Sequence, residues 1–218
     1  LDENVGRVLD HLQARGLADR TLVIFASDNG GYTNPWREKV PTDNWPLRSG
    51  KGSLYEGGIR VPLIVRLPGV TPPGAICSTP VICADFLPTI LDLCNEFGSA
   101  KTPIPTGLDG VSFAPLLKQP QARLRRTELF FHYPHYYFNT TPVSAVRSGD
   151  WKLLEYFEDN RVELYNLRDD PSEAHDLAAK NLDEVNKLRT RLHAWWKDAD
   201  ALLPTKNPEF KPAANSRP

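Results

Sequence analysis

Leu22-Val23-Ile24-Phe25-Ala26 is apolar at every position. Such a run suits a β-strand covered on both faces, the habit of parallel sheets in α/β folds, and it constrains the architecture more than any other segment. Upstream of it, Leu1, Val5, Val8, Leu9 and Leu12 recur at spacings of three and four, with Asp2, Glu3, Arg7 and Asp10 off the stripe. This pattern predicts an amphipathic helix, and Gly16 supplies the left-handed residue that commonly ends one. A helix that opens a chain has no strand to cross over from, so a further strand is expected upstream of Leu1. The sequence contains no methionine, which fits a processed end or a cut through a longer chain.

From Ser27 to about Arg60 the sequence is polar, rich in Gly, Pro, Trp and Asn, and without periodicity. A long irregular connection in a compact domain is functional or disordered, and the interleaved Trp36, Trp45 and Tyr55 argue against disorder. Val61-Pro62-Leu63-Ile64-Val65 reads as a second buried strand, with Pro62 near its start where a missing N–H is tolerated. Asp85 is placed to cap a helix carrying Phe86, Leu87, Ile90, Leu91 and Cys94 on one side, with Pro88 in its first turn and Gly98 after its end.

Beyond Leu117 the pattern changes. Short β-rich segments near 127–132, 143–147, 151–157 and 162–166 are separated by Ser148-Gly149-Asp150 and Asp159-Asn160, which predicts a small antiparallel meander. A closing helix follows, with Leu182, Val185, Leu188, Leu192 and Trp195 on one face. Three parts are therefore expected: an α/β part over 1–125, an antiparallel-sheet and helix subdomain over 126–203, and a flexible tail over 204–218.

Composition excludes several function classes. Lys and Arg number 26 against 27 Asp and Glu, a balance without the basic footprint of a general nucleic-acid binder. No apolar run is long enough to span a bilayer, and the N-terminal stretch lacks the basic-then-apolar pattern of a signal peptide. Three cysteines, Cys77, Cys83 and Cys94, are too few for a disulfide scaffold and leave the redox compartment unread.

Two segments could carry chemistry. Ser27-Asp28-Asn29-Gly30-Gly31 follows the apolar strand, where ligands bind in open α/β sheets. Asp28 and Asn29 offer adjacent oxygens suited to a hard cation such as Ca²⁺ or Mg²⁺, although Asp-Asn-Gly-Gly is also an ordinary turn sequence. In Leu47-Arg48-Ser49-Gly50-Lys51-Gly52-Ser53-Leu54-Tyr55-Glu56-Gly57-Gly58-Ile59-Arg60-Val61-Pro62, Lys51 between two glycines can bring an ammonium close to an anion. It is not a nucleotide phosphate loop, because Gly52 follows the lysine and Gly-x4-Gly-Lys-Ser/Thr is absent. Glu56 and Arg60, four apart, are placed to brace the loop. A purely structural Gly-rich loop explains the segment equally well.

Together the two segments resemble the type I sulfatases of the alkaline phosphatase superfamily. The resemblance extends to Leu1–Asp28, to Ala84-Asp85-Phe86-Leu87-Pro88-Thr89, to Leu108-Asp109-Gly110-Val111-Ser112, to Trp151-Lys152-Leu153, and to Glu163-Leu164-Tyr165-Asn166-Leu167 with Asp170-Pro171. It implies the C-terminal part of an alkaline-phosphatase-like α/β sheet sandwich plus a small α+β subdomain with an antiparallel sheet and a closing helix. It also implies that Asp28 and Asn29 ligate an active-site Ca²⁺ and that Lys51 is catalytic, contacting the sulfate ester or its leaving oxygen. The family's formylglycine nucleophile arises from Cys/Ser-x-Pro-x-Arg, and no such motif is present: Cys77 precedes Ser-Thr-Pro-Val, Cys83 Ala-Asp-Phe-Leu and Cys94 Asn-Glu-Phe-Gly. The family's N-terminal aspartate pair, Lys, His and Arg are likewise unmatched, and are expected upstream of Leu1.

Phe130-Phe131-His132-Tyr133-Pro134-His135-Tyr136-Tyr137 combines aromatic rings with imidazoles, as a sugar site would, or simply runs from a core strand into a loop. His132 and His135 are candidate substrate contacts, as is Arg48, with Trp45 beside it; surface pairing explains the last two as well. Pro134 disfavours metal binding by the two histidines. Asn139-Thr140-Thr141 meets the glycosylation pattern. The expected activity is hydrolysis of a sulfate ester, with a sulfated carbohydrate or small molecule as substrate, by a parent protein of which this chain alone is inactive. A phosphoesterase or phosphonate hydrolase of the same superfamily, or a non-catalytic binding module, are the alternatives. The resemblance places the protein in the periplasm, the lysosome or the secreted fraction.

Overall fold

The computed structural model describes residues 1–35, 38–99 and 101–210. Trp36 and residues 211–218 of the expected tail lie outside the described residues; residues 204–210 carry neither helix nor strand. The chain divides into two compact units. One comprises Leu1–Asp28 and Val61–Thr127; the other comprises Asn29–Arg60 and everything from Glu128 onward. The irregular segment after the first strand thus clusters with the C-terminal sheet, not with the two strands it links.

In the first unit, α1 (Asp2–Ala14) forms as its periodicity dictates, with Asp2 and Glu3 in the first turn complementing the helix dipole. Gly16 turns the chain at φ 64°. No residue of α1 is buried, and Leu1, Val8 and Leu9 remain exposed. β1 (Val23–Ala26) and β2 (Leu63–Arg66) pair antiparallel, Val23 opposite Arg66 and Ala26 opposite Leu63. This corrects the expectation of parallel strands covered on both faces. Ile64 is 63% exposed while its neighbours Leu63 and Val65 are half-buried, the alternation of a strand packed on one face only.

α3 (Phe86–Phe97) and α4 (Ala114–Lys118) supply the core of this unit. Leu93, Phe113, Ala114, Leu116 and Leu117 cluster there, with Leu22, Val65, Leu67 and Phe86 packed against them. Asp85 precedes α3 as expected, but its side chain does not cap the helix. The carboxylate is 0% exposed and accepts hydrogen bonds from Ile82 N and Val111 N, both at 2.8 Å, and from Arg126 Nη1 and Nη2 at 2.6 and 2.7 Å. The helix terminus is tied instead through Thr89, whose hydroxyl donates to Asp85 O and accepts from Phe113 N.

The second unit is built on four antiparallel strands in sequence order: β3 (Glu128–Tyr133), β4 (Val143–Ser148), β5 (Trp151–Tyr156) and β6 (Val162–Asn166). Gly149 and Asn160, both at positive φ, make the last two turns. The register sets Val146 opposite Leu153 and Leu153 opposite Leu164. α5 (Leu182–Asp198) covers that face through Val185, Leu188 and Leu192. Leu182, expected on the same stripe, is exposed. Phe130 stacks on Trp195 with ring centroids 5.2 Å apart.

The opposite face of the sheet is also buried. Val143, Ala145, Leu154, Tyr156, Tyr165 and Leu167 pack there against Leu54, Tyr55 and Ile59 from the irregular segment, which includes the single helical turn α2 (Glu56–Ile59). Period-two alternation therefore sends Lys152 and Glu163 inward toward that segment and Glu155 toward α5. Each of these charged residues is itself buried and paired with other side chains: Lys152 with Glu56, Glu163 with Tyr55, and Glu155 with the partly exposed Arg189 and His193.

Candidate functional site: the lysine loop

The conformation of residues 30–35 and 44–58 follows from backbone groups packed too closely for side chains. Gly30 N donates to Gly58 O at 2.9 Å, and a Cβ on Gly30 would stand 1.7 Å from Gly57 O. Asn44 ties the turn from within: its Oδ1 accepts from Gly31 N, and its Nδ2 donates to Gly31 O and Ser49 O, each at 3.0–3.1 Å. Lys51 N donates to Gly31 O at 3.0 Å. The Lys51 side chain is exposed and has no ion-pair partner among the described residues. A fixed backbone thus presents an exposed ammonium to solvent, open to an anion.

Beneath the loop lies a triad of buried charges. Lys152 Nζ is 2.9 Å from Glu56 Oε1 and 2.8 Å from Glu173 Oε1, and all three side chains are at most 2% exposed. Glu56 N donates to Glu173 Oε2 at 2.6 Å. Arg147 and Arg60 approach the other Glu56 oxygen at 3.8 and 3.9 Å. Burial pushes the Glu173 carboxyl above its usual range, while Lys152 and the Glu56 N–H pull it down. A second network joins Tyr156, Tyr55 and Glu163: Tyr156 OH donates to Tyr55 OH, which donates to Glu163 Oε2 at 2.7 Å. Burial and the Tyr156 hydroxyl raise the Tyr55 phenol well above its ordinary value, so it stays protonated as a donor.

The candidate metal ligands are consecutive in sequence but fall in different units: Asp28 ends a segment of the first and Asn29 begins a segment of the second. Asp28 is exposed in a bend after β1, and Asn29 is half-buried. Asn29 Nδ2 donates to Gly30 O at 2.9 Å, which assigns the oxygen end of the amide. A carboxylate and an amide oxygen are hard donors of the kind Ca²⁺ takes, and they fit such an ion as part of a set of roughly six to eight. Among the described residues no group of three or more His, Cys, Asp or Glu is arranged to hold a metal.

Arg48 turns toward the sheet of its own unit. Its Nη1 donates to Tyr165 OH at 2.9 Å and Glu173 O at 3.0 Å, and the guanidinium lies 3.9 Å over the Tyr55 ring. These contacts lock the start of the lysine loop to β6. Both ring nitrogens of His132 are engaged, Nδ1 with Ser144 Oγ at 2.6 Å and Nε2 with Leu202 O at 2.9 Å, so the imidazole fastens the chain after α5 to the sheet. His135 is exposed and meets the edge of Tyr133. Sequence reasoning missed Asn44, Lys152 and Glu173; the partners of each lie far away in sequence or on the far side of a loop, and no local spacing announces them.

A family profile described as Sulfatase matches residues 1–96, and one described as N-sulphoglucosamine sulphohydrolase, C-terminal, matches residues 49–199. The chain is 40% identical over 89% of its length to a sulfatase of Formosa agariphila, of which it covers 38%. It is 37% identical over 73% of its length to steryl-sulfatase of Mus musculus, of which it covers 25%. The solved structure of BT4656 in complex with its substrate D-glucosamine-2-N,6-O-disulfate matches 91% of this chain with a TM-score of 0.71 and 25% identity, over 38% of its own length. The chain belongs to the sulfatase family. It spans between a quarter and two fifths of the length of these proteins. Among the described residues no helix is long and apolar enough to cross a membrane.

Proposed function

We propose that the protein containing this chain hydrolyses a sulfate ester, and that the chain contributes Lys51 as the cation that contacts the transferring sulfate or its leaving oxygen. The observation that carries this reading is the Lys51 loop: backbone fixed by Gly31, glycines on both sides, and a charged side chain directed to solvent. A positioned ammonium stabilises negative charge that develops on the transferring group. Asp28 and Asn29 would supply two oxygen ligands to a Ca²⁺ ion, which when bound polarises a sulfate oxygen. The nucleophile is assigned to a part of the protein other than residues 1–218, since Cys/Ser-x-Pro-x-Arg is absent, and the isolated chain is accordingly inactive. A sulfated sugar is the favoured substrate class, supported by the exposed Tyr136 and Phe138 beside His135, rings of the kind that stack on sugars. A site of action outside the cytoplasm follows from the family alone.

The test is sulfate release by the full-length protein from a sulfated glucosamine and from 4-nitrophenyl sulfate, with 4-nitrophenyl phosphate in parallel. Sulfate release is expected to dominate, and Lys51→Ala is expected to lower kcat by about 10²–10³. Asp28→Ala should raise the Ca²⁺ concentration needed for half-maximal rate. Preferential phosphate release would replace this reading with the phosphoesterase alternative, and turnover of neither ester class would favour a binding module.

A further inference from the structure

The connection between β3 and β4 ends in a tight hairpin: Tyr137 N donates to Thr140 O at 3.0 Å and Thr140 N to Tyr137 O at 3.3 Å, leaving Phe138 and Asn139 at the tip. Phe138 points to solvent, 75% exposed. Asn139 turns the other way. Its Nδ2 donates to Ser49 Oγ at 3.0 Å and to Lys51 O at 3.3 Å. The carbonyl on Lys51 fixes which end of the amide is nitrogen, and Asn139 Oδ1 is buried with no hydrogen-bond partner among the described residues. A buried acceptor left unpaired is costly, so the orientation is held by what Nδ2 gains. Beside it the Tyr137 ring lies directly on Gly52, which has φ 90°; a Cβ there would stand 2.0 Å from Tyr137 Cδ1.

Lys51 is therefore held at both ends of its own peptide units. Its N–H goes to Gly31 O and its C=O to Asn139, while the residue before Gly50, Ser49, sits at φ 64°, an unusual conformation for a non-glycine. We propose that the hairpin tip is a positioning device for Lys51, with Asn139 as its positioning residue and Tyr137 as the plate against which the loop rests. The inference rests on the reading of Lys51 as the residue that contacts sulfate, and it extends that reading to a second loop. It also sets Asn139 against its glycosylation pattern, because a glycan on Nδ2 would replace one of the two hydrogens given to Ser49 Oγ and Lys51 O.

The experiment is a double-mutant cycle in the full-length protein with 4-nitrophenyl sulfate and a sulfated glucosamine as probes. Asn139→Ala is expected to lower kcat about tenfold with KM within about twofold, since a small displacement of a group acting in the transition state costs rate and not binding. Asn139→Asp keeps the shape but sets an acceptor against Lys51 O, and should lose at least as much. Thermal midpoints should stay within about 2 °C of the parent, because Asn139 is only half-buried and its removal also removes an unpaired buried acceptor. In a Lys51→Ala background the Asn139→Ala change should add less than about twofold; if that background is too slow to measure, Lys51→Arg takes its place. Asn139→Ala at full rate, or an undiminished effect in the Lys51 variant, overturns the inference while leaving the role of Lys51 intact. Full activity in Lys51→Ala itself removes the reading of Lys51 and the inference together.

Discussion

Lys152→Ala is expected to destabilise the protein by roughly 3–5 kcal/mol at neutral pH, the range found when one partner of a buried ion pair is removed. Lys152 is 1% exposed, and its ammonium is the cation nearest to both Glu56 and Glu173. Without it two carboxylates share a dry site, with Arg147 and Arg60 at 3.8 and 3.9 Å from Glu56 only. One carboxylate would then take up a proton, so the loss should be smaller in mild acid than at neutral pH. Urea unfolding across that range measures it, and a loss below about 1 kcal/mol at neutral pH would contradict the account.

Glu173→Gln separates the two halves of this argument. Burial raises the Glu173 carboxyl in the folded protein. A carboxyl with a raised folded pKa contributes stability that is fully present below its unfolded value, near about 4.3, and is lost as pH rises through the folded value. The glutamine variant lacks that decline. Its stability relative to the parent should therefore rise with pH above about 4.3, and a flat difference would show that Glu173 does not titrate as described.

Asp85→Ala is expected to cost about as much, roughly 3–5 kcal/mol, in the first unit. The carboxylate is the common acceptor for four donors: the two nitrogens of Arg126, which is 14% exposed, and the N–H groups of Ile82 and Val111. Alanine leaves a half-buried guanidinium and two amides without their acceptor, each a desolvation cost. Asp85→Asn is the sharper probe. It preserves volume but turns one acceptor into a donor facing donors, so it should be nearly as damaging as alanine. An asparagine variant with parental stability would mean that packing, not acceptor chemistry, holds this corner. Thermal or urea unfolding reads both.

Much of the fold was legible because its signals are local. The four strands of the second unit lie within a residue or two of their β-rich segments, since alternation and the Gly149 and Asn160 turns specify them without reference to the rest of the chain. α1 and α5 follow from their apolar spacing in the same way. The pairing of β1 with β2 did not, because an apolar pentapeptide states that it is buried but not what lies beside it; the antiparallel register comes from the two segments meeting in space.

The candidate site divides along the same line. Gly-Lys-Gly and Asp-Asn-Gly mark positions where backbone can approach closely; their spacing left a plain turn and a structural loop open, and the resemblance to sulfatases made Lys51, Asp28 and Asn29 the candidates. Only the tertiary structure decided what holds the lysine loop: Asn139, Lys152 and Glu173 reach it from distant parts of the chain, and Asn44 ties it from within through contacts that no spacing rule announces. It also decided that Arg48 and His132 have their nitrogens engaged by protein groups. The physical reason is that a spacing rule reports on neighbours along one helix or strand, whereas a buried charge or amide is satisfied by whatever partner folding brings within 3 Å or so.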